Sequence, residues 1–85
     1  MTVTVLYFAR LRETLGLAQE NILLPTHAAS VAGLLDHLRA RGGGWQTALA
    51  PTQSYRVAVN QNMVDITTPL HDGDEVAIFP PVTGG

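Results

Sequence analysis

The chain contains no cysteine and no lysine. Without cysteine, disulfides, thiolate catalysis and cysteine-ligated metals are excluded. Without lysine there is no side-chain amine for Schiff-base or nucleophilic chemistry, and copies cannot be joined into polymers through their own lysines. The five cations are all arginine: Arg10, Arg12, Arg39, Arg41 and Arg56. Seven acids leave a net charge of −2. That balance argues against a nucleic-acid partner, which needs a basic face. No apolar run approaches the ~18 residues of a membrane span. The N-terminus opens on strand-like sequence with no basic leader, so neither a signal peptide nor a membrane partner is expected, and the cytoplasm is the expected compartment. Glycine-rich phosphate motifs are missing. His27, His37 and His71 do not share the spacing of metal ligands. Asp72, Asp74 and Glu75 resemble a fragment of a calcium loop, but the twelve-residue pattern ending in Glu is absent. Ser30 and Ser54 carry no nucleophile signature. Nothing reads as a self-contained active site, and no bound cofactor or metal is expected.

What is present is enough for one small domain. There are 85 residues, of which 46% are hydrophobic, a length and apolar share that fit one core. Thr2 to Ala9 alternates as a strand, with Val3, Val5 and Tyr7 on one face and Thr4, Leu6 and Phe8 on the other. The second set begins polar and ends in two large apolar groups. Arg10 to Leu15 has helical character and stops at Gly16; Arg12 and Glu13 read as solvated or locally paired. Glu20 to Pro25, with Ile22 and Leu24 alternating, returns as a hairpin partner of the first strand. Ser30 is an N-cap by type, and Val31, Leu34, Leu35 and Leu38 then form one stripe of a helix. Gly42 is the expected C-cap, with Arg39 and Arg41 in the last turn. Gly33 inside this helix implies close packing on the sheet. Gly42 to Gly44 reads as a loose connection, and Trp45, Ala48 and Leu49 as a short turn over one end of the core. Tyr55 to Asn60 is a third strand, Met63 to Ile66 a short fourth, and Glu75 to Phe79 a fifth after the turn at Asp72-Gly73-Asp74.

The end of the chain is its most informative stretch. The run from Val76 to Phe79 reads as a buried strand, and Pro80 ends it because proline has no N–H for a sheet ladder. Pro80 and Pro81 favour an extended path. Six residues from Pro80 onward reach at most roughly 20 Å. The chain closes on Gly84 and Gly85, which fit a channel too narrow for any side chain. A terminal glycine pair alone fits a frayed end better than a functional one. The strand, the stiff exit and the short spacer favour a functional tail.

The element order predicts an α+β fold, the β-grasp or ubiquitin-like arrangement. A mixed sheet of about five strands packs on one main helix over residues 1–79, and residues 80–85 form an extended tail. Val76 and Ile78 are expected to face the helix, and Ala77 and Phe79 to face outward. Leu6, Phe8 and Phe79 then make an apolar patch at the base of the tail, a candidate partner interface.

Asp72-Gly73-Asp74-Glu75-Val76-Ala77, followed by Phe79-Pro80-Pro81-Val82-Thr83-Gly84-Gly85, resembles the closing signature of the small subunits of molybdopterin synthase. The opening Val5-Leu6-Tyr7-Phe8-Ala9-Arg10-Leu11-Arg12-Glu13 and the strand end Ala58-Val59-Asn60-Gln61 match as well. The resemblance implies a sulfur carrier that is not catalytic alone. A ubiquitin-activating-like adenylyltransferase would use ATP to adenylate Gly85, and sulfur would replace the adenylate to leave a thiocarboxylate, a covalent 1-thioglycine. Pro80, Pro81, Val82, Thr83 and Gly84 would carry that group into the large synthase subunit. There sulfur would pass to cyclic pyranopterin monophosphate and build the molybdopterin dithiolene. The resemblance further implies a heterotetramer of two small and two large subunits, with the catalytic lysines on the partner. Two related readings stay open, a thiazole-synthesis sulfur carrier and a ubiquitin-like protein modifier. A passive binding module of the same fold would have no use for an unblocked Gly-Gly.

Overall fold

The computed structural model describes residues 1–80. In chain order they form β1 (Thr2–Tyr7), α1 (Ala9–Leu15), β2 (Gln19–Leu23), a single 3-10 turn (Thr26–Ala28), α2 (Val31–Arg39), α3 (Gly43–Ala48), β3 (Arg56–Val59), β4 (Asn62–Val64) and β5 (Glu75–Phe79). The strands make one sheet in the order β2-β1-β5-β3-β4. The central β1–β5 pair is parallel and the others are antiparallel. This is the expected β-grasp. Among the described residues no helix is long and apolar enough to cross a membrane.

The alternation read from β1 is the alternation observed. Val3, Val5 and Tyr7 are at most 1% exposed, and Val76 and Ile78 of β5 are fully buried beside them. Against this face lies the stripe of α2: Val31, Leu34, Leu35 and Leu38, each no more than 2% exposed. The N-terminus of α2 is closed as its sequence suggests, with Ser30 Oγ accepting a hydrogen bond from the Gly33 N–H at 3.0 Å. A two-residue turn joins β3 to β4, with Val59 paired to Asn62. Both turn residues, Asn60 and Gln61, have positive φ, the backbone that matches the right-handed twist of a tight hairpin. The acidic turn before β5 is held by its own side chains. Asp72 accepts from the Thr2 N–H at 2.7 Å, and Asp74 accepts from the His71 N–H and the Asn60 amide.

Several expectations need correction. α2 ends at Arg39 with Ala40 as its C-cap, so Gly42 is not that cap. Gly42, at φ 75°, is instead the residue from which α3 starts. Gly43 and Gly44 are therefore helical rather than a loose connection, and the short turn expected at Trp45 is extended at its start to α3. Gly33 does not pack on the sheet. A Cβ there would run into the Ala28 carbonyl of the 3-10 turn. The third strand is Arg56–Val59 rather than 55–60, and the fourth is Asn62–Val64 rather than 63–66. Beyond Val64 the chain leaves the sheet to cover the start of α2, where the Ile66 and Thr68 carbonyls accept from the Ala32 and Val31 N–H groups.

Arg41, past the helix end, serves the core edge instead of a helix terminus. Its guanidinium donates twice to Glu20, at 2.7 and 2.8 Å, and stacks over Trp45 at 5.0 Å. Tyr7 donates its hydroxyl to Glu20 at 2.8 Å and accepts from the Trp45 indole at 3.4 Å. The cluster ties α3 to β1 and β2. Burial pushes the Tyr7 hydroxyl well above its ordinary pKa. Arg41 holds the Glu20 carboxyl below its ordinary value of 4.5, with the Tyr7 hydrogen bond adding to the effect and burial opposing it.

Two outcomes follow for stability. Alanine at Gly33 gains about 1 kcal/mol of helix propensity, but overpacking against backbone costs about 1–3 kcal/mol. Because the clash also disturbs the Ser30 cap, Gly33→Ala is expected to lower stability by about 1–2 kcal/mol, roughly 5–15 °C in Tm, read by thermal unfolding. The depressed folded pKa of Glu20 means that its contribution is present above the unfolded pKa and is lost as pH falls through the folded one. Urea midpoints of wild type are expected to drop below the ordinary carboxylate range, and Glu20→Gln to make that acid limb shallower; an unchanged limb would show that the pair contributes nothing.

Candidate functional site

The face of the sheet away from α2 carries the candidate site. On β1, Leu6 points outward between Val5 and Tyr7. The parallel register sets Leu6 against Ala77 of β5. Ala77 is paired with Ala58 of β3, and Ala58 with Met63 of β4. A row of four apolar residues, Leu6, Ala77, Ala58 and Met63, thus crosses four strands. The two alanines keep its middle low, while Leu6 and Met63 stand at its sides. Met63 is 55% exposed.

The next row toward the chain end is aromatic. Phe8 follows β1 with extended backbone, and its N–H donates to the Ile78 carbonyl at 3.2 Å, which prolongs the parallel ladder by one step. The chain then turns sharply at Ala9, which has φ 52°. A non-glycine residue in that region is strained by about 1–2 kcal/mol, and the turn sends α1 away while Phe8 stays on the sheet. The Phe8 and Phe79 rings meet edge-to-face, with centroids 6.4 Å apart. Phe79 and Leu6 are half-buried and Phe8 is 45% exposed. The three residues expected to form a patch are thus brought together. Ala77 joins them as expected from β5, and the structure adds Ala58 and Met63. Met63 was legible in principle: a two-residue turn at Asn60-Gln61 places it opposite Ala58.

Phe79 makes the last pair of β5, with Arg56 of β3. Pro80 then borders a cleft of about 220 Å³ whose walls include Arg10 and Thr14 of α1, Thr47 of α3, and Gln53 and Ser54 of the following loop. Pro81, Val82, Thr83, Gly84 and Gly85, to which the tail and its reactive end were assigned, lie outside the described residues. Among the described residues, every titratable group with a clearly displaced pKa lies away from the aromatic pair, in the Tyr7–Glu20–Arg41 cluster or in the turns holding Asp65 and Asp74. What the face offers chemically is apolar burial for another surface, beside the point where the chain leaves the sheet.

A model of the ThiS family matches residues 5–85. The chain is 42% identical to the molybdopterin synthase sulfur carrier subunit of Escherichia coli, over 98% of this chain and 99% of that one. Among solved structures it is similar to a Pyrococcus furiosus protein described as subunit 1 of a molybdopterin converting factor, at 32% identity and a TM-score of 0.79, covering 96% and 99% of the two chains. It is also similar to a chain in the complex of subunits 1 and 2 of the molybdopterin-converting factor of Helicobacter pylori, at 29% identity and a TM-score of 0.70, covering each chain in full.

Because the face is solvent-exposed and the opposite face is the core, the two should respond differently to substitution. Met63→Lys is expected to change unfolding free energy by no more than about 0.5 kcal/mol. Ile78→Ala, on the same sheet but facing α2, is expected to cost about 2–5 kcal/mol. Urea unfolding of both variants checks the division.

Proposed function

The chain belongs to the ThiS family, with the molybdopterin synthase sulfur carrier subunits, and from that premise we propose that Gly85 is the sulfur-bearing residue and that another protein supplies the reaction pocket. The observation that carries this reading is the position of the apolar face. Leu6, Phe8 and Phe79 stand beside the root of the tail and Met63 extends the same face two strands away, so a protein docked there holds the tail as it leaves Pro80. Apolar burial with aromatic anchors is the usual core of such a surface.

The chemistry requires help from outside. An α-carboxyl is ionised at neutral pH, and a carboxylate is a poor electrophile. One oxygen of the Gly85 carboxylate attacks the α-phosphorus of ATP in an adenylyltransferase, releasing pyrophosphate and leaving an acyl-adenylate. A sulfur nucleophile then forms a C–S bond as AMP departs with the oxygen, and the product is a thiocarboxylate. Inserted into the large synthase subunit, this sulfur forms a C–S bond to a side-chain carbon of the pterin precursor, cyclic pyranopterin monophosphate, as a C–O bond at that carbon breaks and its oxygen departs. Water cleaves the remaining acyl–sulfur bond and restores the carboxylate. One carrier delivers one sulfur, so a dithiolene takes two deliveries, which suits an assembly of two small and two large subunits. Gly84 and Gly85 leave the acyl carbon unhindered, and Pro80 and Pro81 limit the directions in which the tail can point. The related modifier and thiazole readings share the adenylate step and part from this one at the acceptor.

Intact-protein mass spectrometry tests the reading. Incubation with the activating enzyme, ATP and a sulfur donor is expected to exchange one oxygen for sulfur at Gly85, and addition of the large subunit and pterin precursor to restore the starting mass. Deleting Gly85 is expected to abolish both changes while leaving the Tm within a few degrees of wild type. A carrier that stays at its starting mass in the first step would refute the proposal.

A further inference from the structure

The chain uses its five arginines in two ways. Arg39 and Arg41 are consumed internally. Arg39 donates to the Leu49 carbonyl, Asp36 and the Tyr55 hydroxyl, and Arg41 is spent on Glu20. Arg10, Arg12 and Arg56 are exposed and pair with no carboxylate among the described residues. Two of these three flank the root of the tail. Arg56 is the sheet partner of Phe79, and Arg10 shares the cleft wall with Pro80. Asp65, across the β3–β4 hairpin from Arg56, is turned to the Thr67 N–H and hydroxyl. Glu13 is exposed on the same short helix as Arg10 and makes no ion pair with it. Three of the seven acids, Asp72, Asp74 and Glu75, gather at the other end of β5, about 13 Å away along the strand. Asp65 remains an anion at the tail end, but its hydrogen bonds go to Thr67, so Arg10 and Arg56 stand there as guanidinium groups without a carboxylate partner among the described residues while acids cluster at the far end of the strand.

We propose that Arg10 and Arg56 form a basic collar that recognises carboxylates on the rim of the protein surface receiving the tail. This rests on the sulfur-carrier reading above. Under that reading the five residues after Pro80 span at most about 18 Å. When they are inserted, Pro80 stands at the mouth of the receiving channel, and so do the side chains beside it. An arginine reaches about a third of that distance, so the collar meets the rim of the channel and not the anionic groups reacting at its far end. The apolar face provides burial without direction, and the collar provides orientation and electrostatic steering. Rim charges act mainly on association rate and salt dependence.

The test is the association of the charged or uncharged carrier with the large subunit, followed by stopped-flow mixing. At about 50 mM NaCl the Arg10→Ala/Arg56→Ala double variant is expected to associate roughly tenfold more slowly than wild type, and at about 500 mM the two are expected to converge as screening removes the difference. Both residues are exposed, so the thermal midpoint of the double variant should match wild type, and this is measured alongside. A third chain, amidated at the Gly85 carboxyl, identifies the occupant. If removing the arginines no longer matters in that chain, the collar holds the carrier's own terminus and the proposal is wrong. Association that is salt-independent and identical in both proteins overturns the collar while leaving the carrier reading intact. If wild type does not bind the large subunit at either salt concentration, the carrier reading fails and the collar with it.

Discussion

The parallel pairing of β1 with β5 is the constraint on which the rest depends. It joins the first strand of the chain to the last, with Val5 set against Val76 and Tyr7 against Ile78. Parallel neighbours need a long crossover, and here nearly the whole chain is that crossover. α2 packs over the paired strands and fills the core, and β3 takes the free edge of β5. The same register that buries Val76 and Ile78 points Ala77 and Phe79 the other way, because side chains alternate along a strand. The core and the apolar outer face are two consequences of one pairing.

A sheet with helices on one side must leave its other side to water or to a partner. Here the open side is apolar at the end where the chain departs and polar or acidic at the other. At the apolar end the small side chains of Ala58 and Ala77 lie between Leu6 and Met63, and the Phe8–Phe79 pair closes the row. Ala9 accepts a strained backbone so that α1 can leave without covering this face. Backbone strain of this kind persists only where the surrounding structure holds it in place. In this chain it keeps Phe8 on the sheet rather than on the helix.

The segment between α2 and β3 is fastened from two sides. Arg39 donates to the Leu49 carbonyl at 2.6 Å and to Tyr55, which itself donates to Leu49. Arg41 and Trp45 join it to Glu20 and Tyr7. These bonds satisfy polar groups at the edge of the core, and no buried side-chain nitrogen or oxygen among the described residues lacks a partner. A glycine-rich stretch that reads as loose becomes a helix because its neighbours supply the hydrogen bonds and the stacking surface. That helix in turn forms a wall of the cleft beside Pro80.

Local periodicity was enough to read the strands β1, β2 and β5, the stripe and N-cap of α2, and the aromatic residues near the tail. Those features are set by side-chain alternation, by a 3.6-residue repeat and by a hydroxyl one turn from an N–H, all of which are local in the chain. Other features needed residues distant in sequence. Gly33 is required by Ala28, Arg41 leaves its helix for Glu20, and Gly43 begins a helix that Trp45 anchors to Tyr7. Met63 joins the apolar face only through the registers of three strands. The sequence by itself determined which residues seek burial; the tertiary structure decided which of them share a face, because that depends on strand register, and register is a property of two segments and never of one.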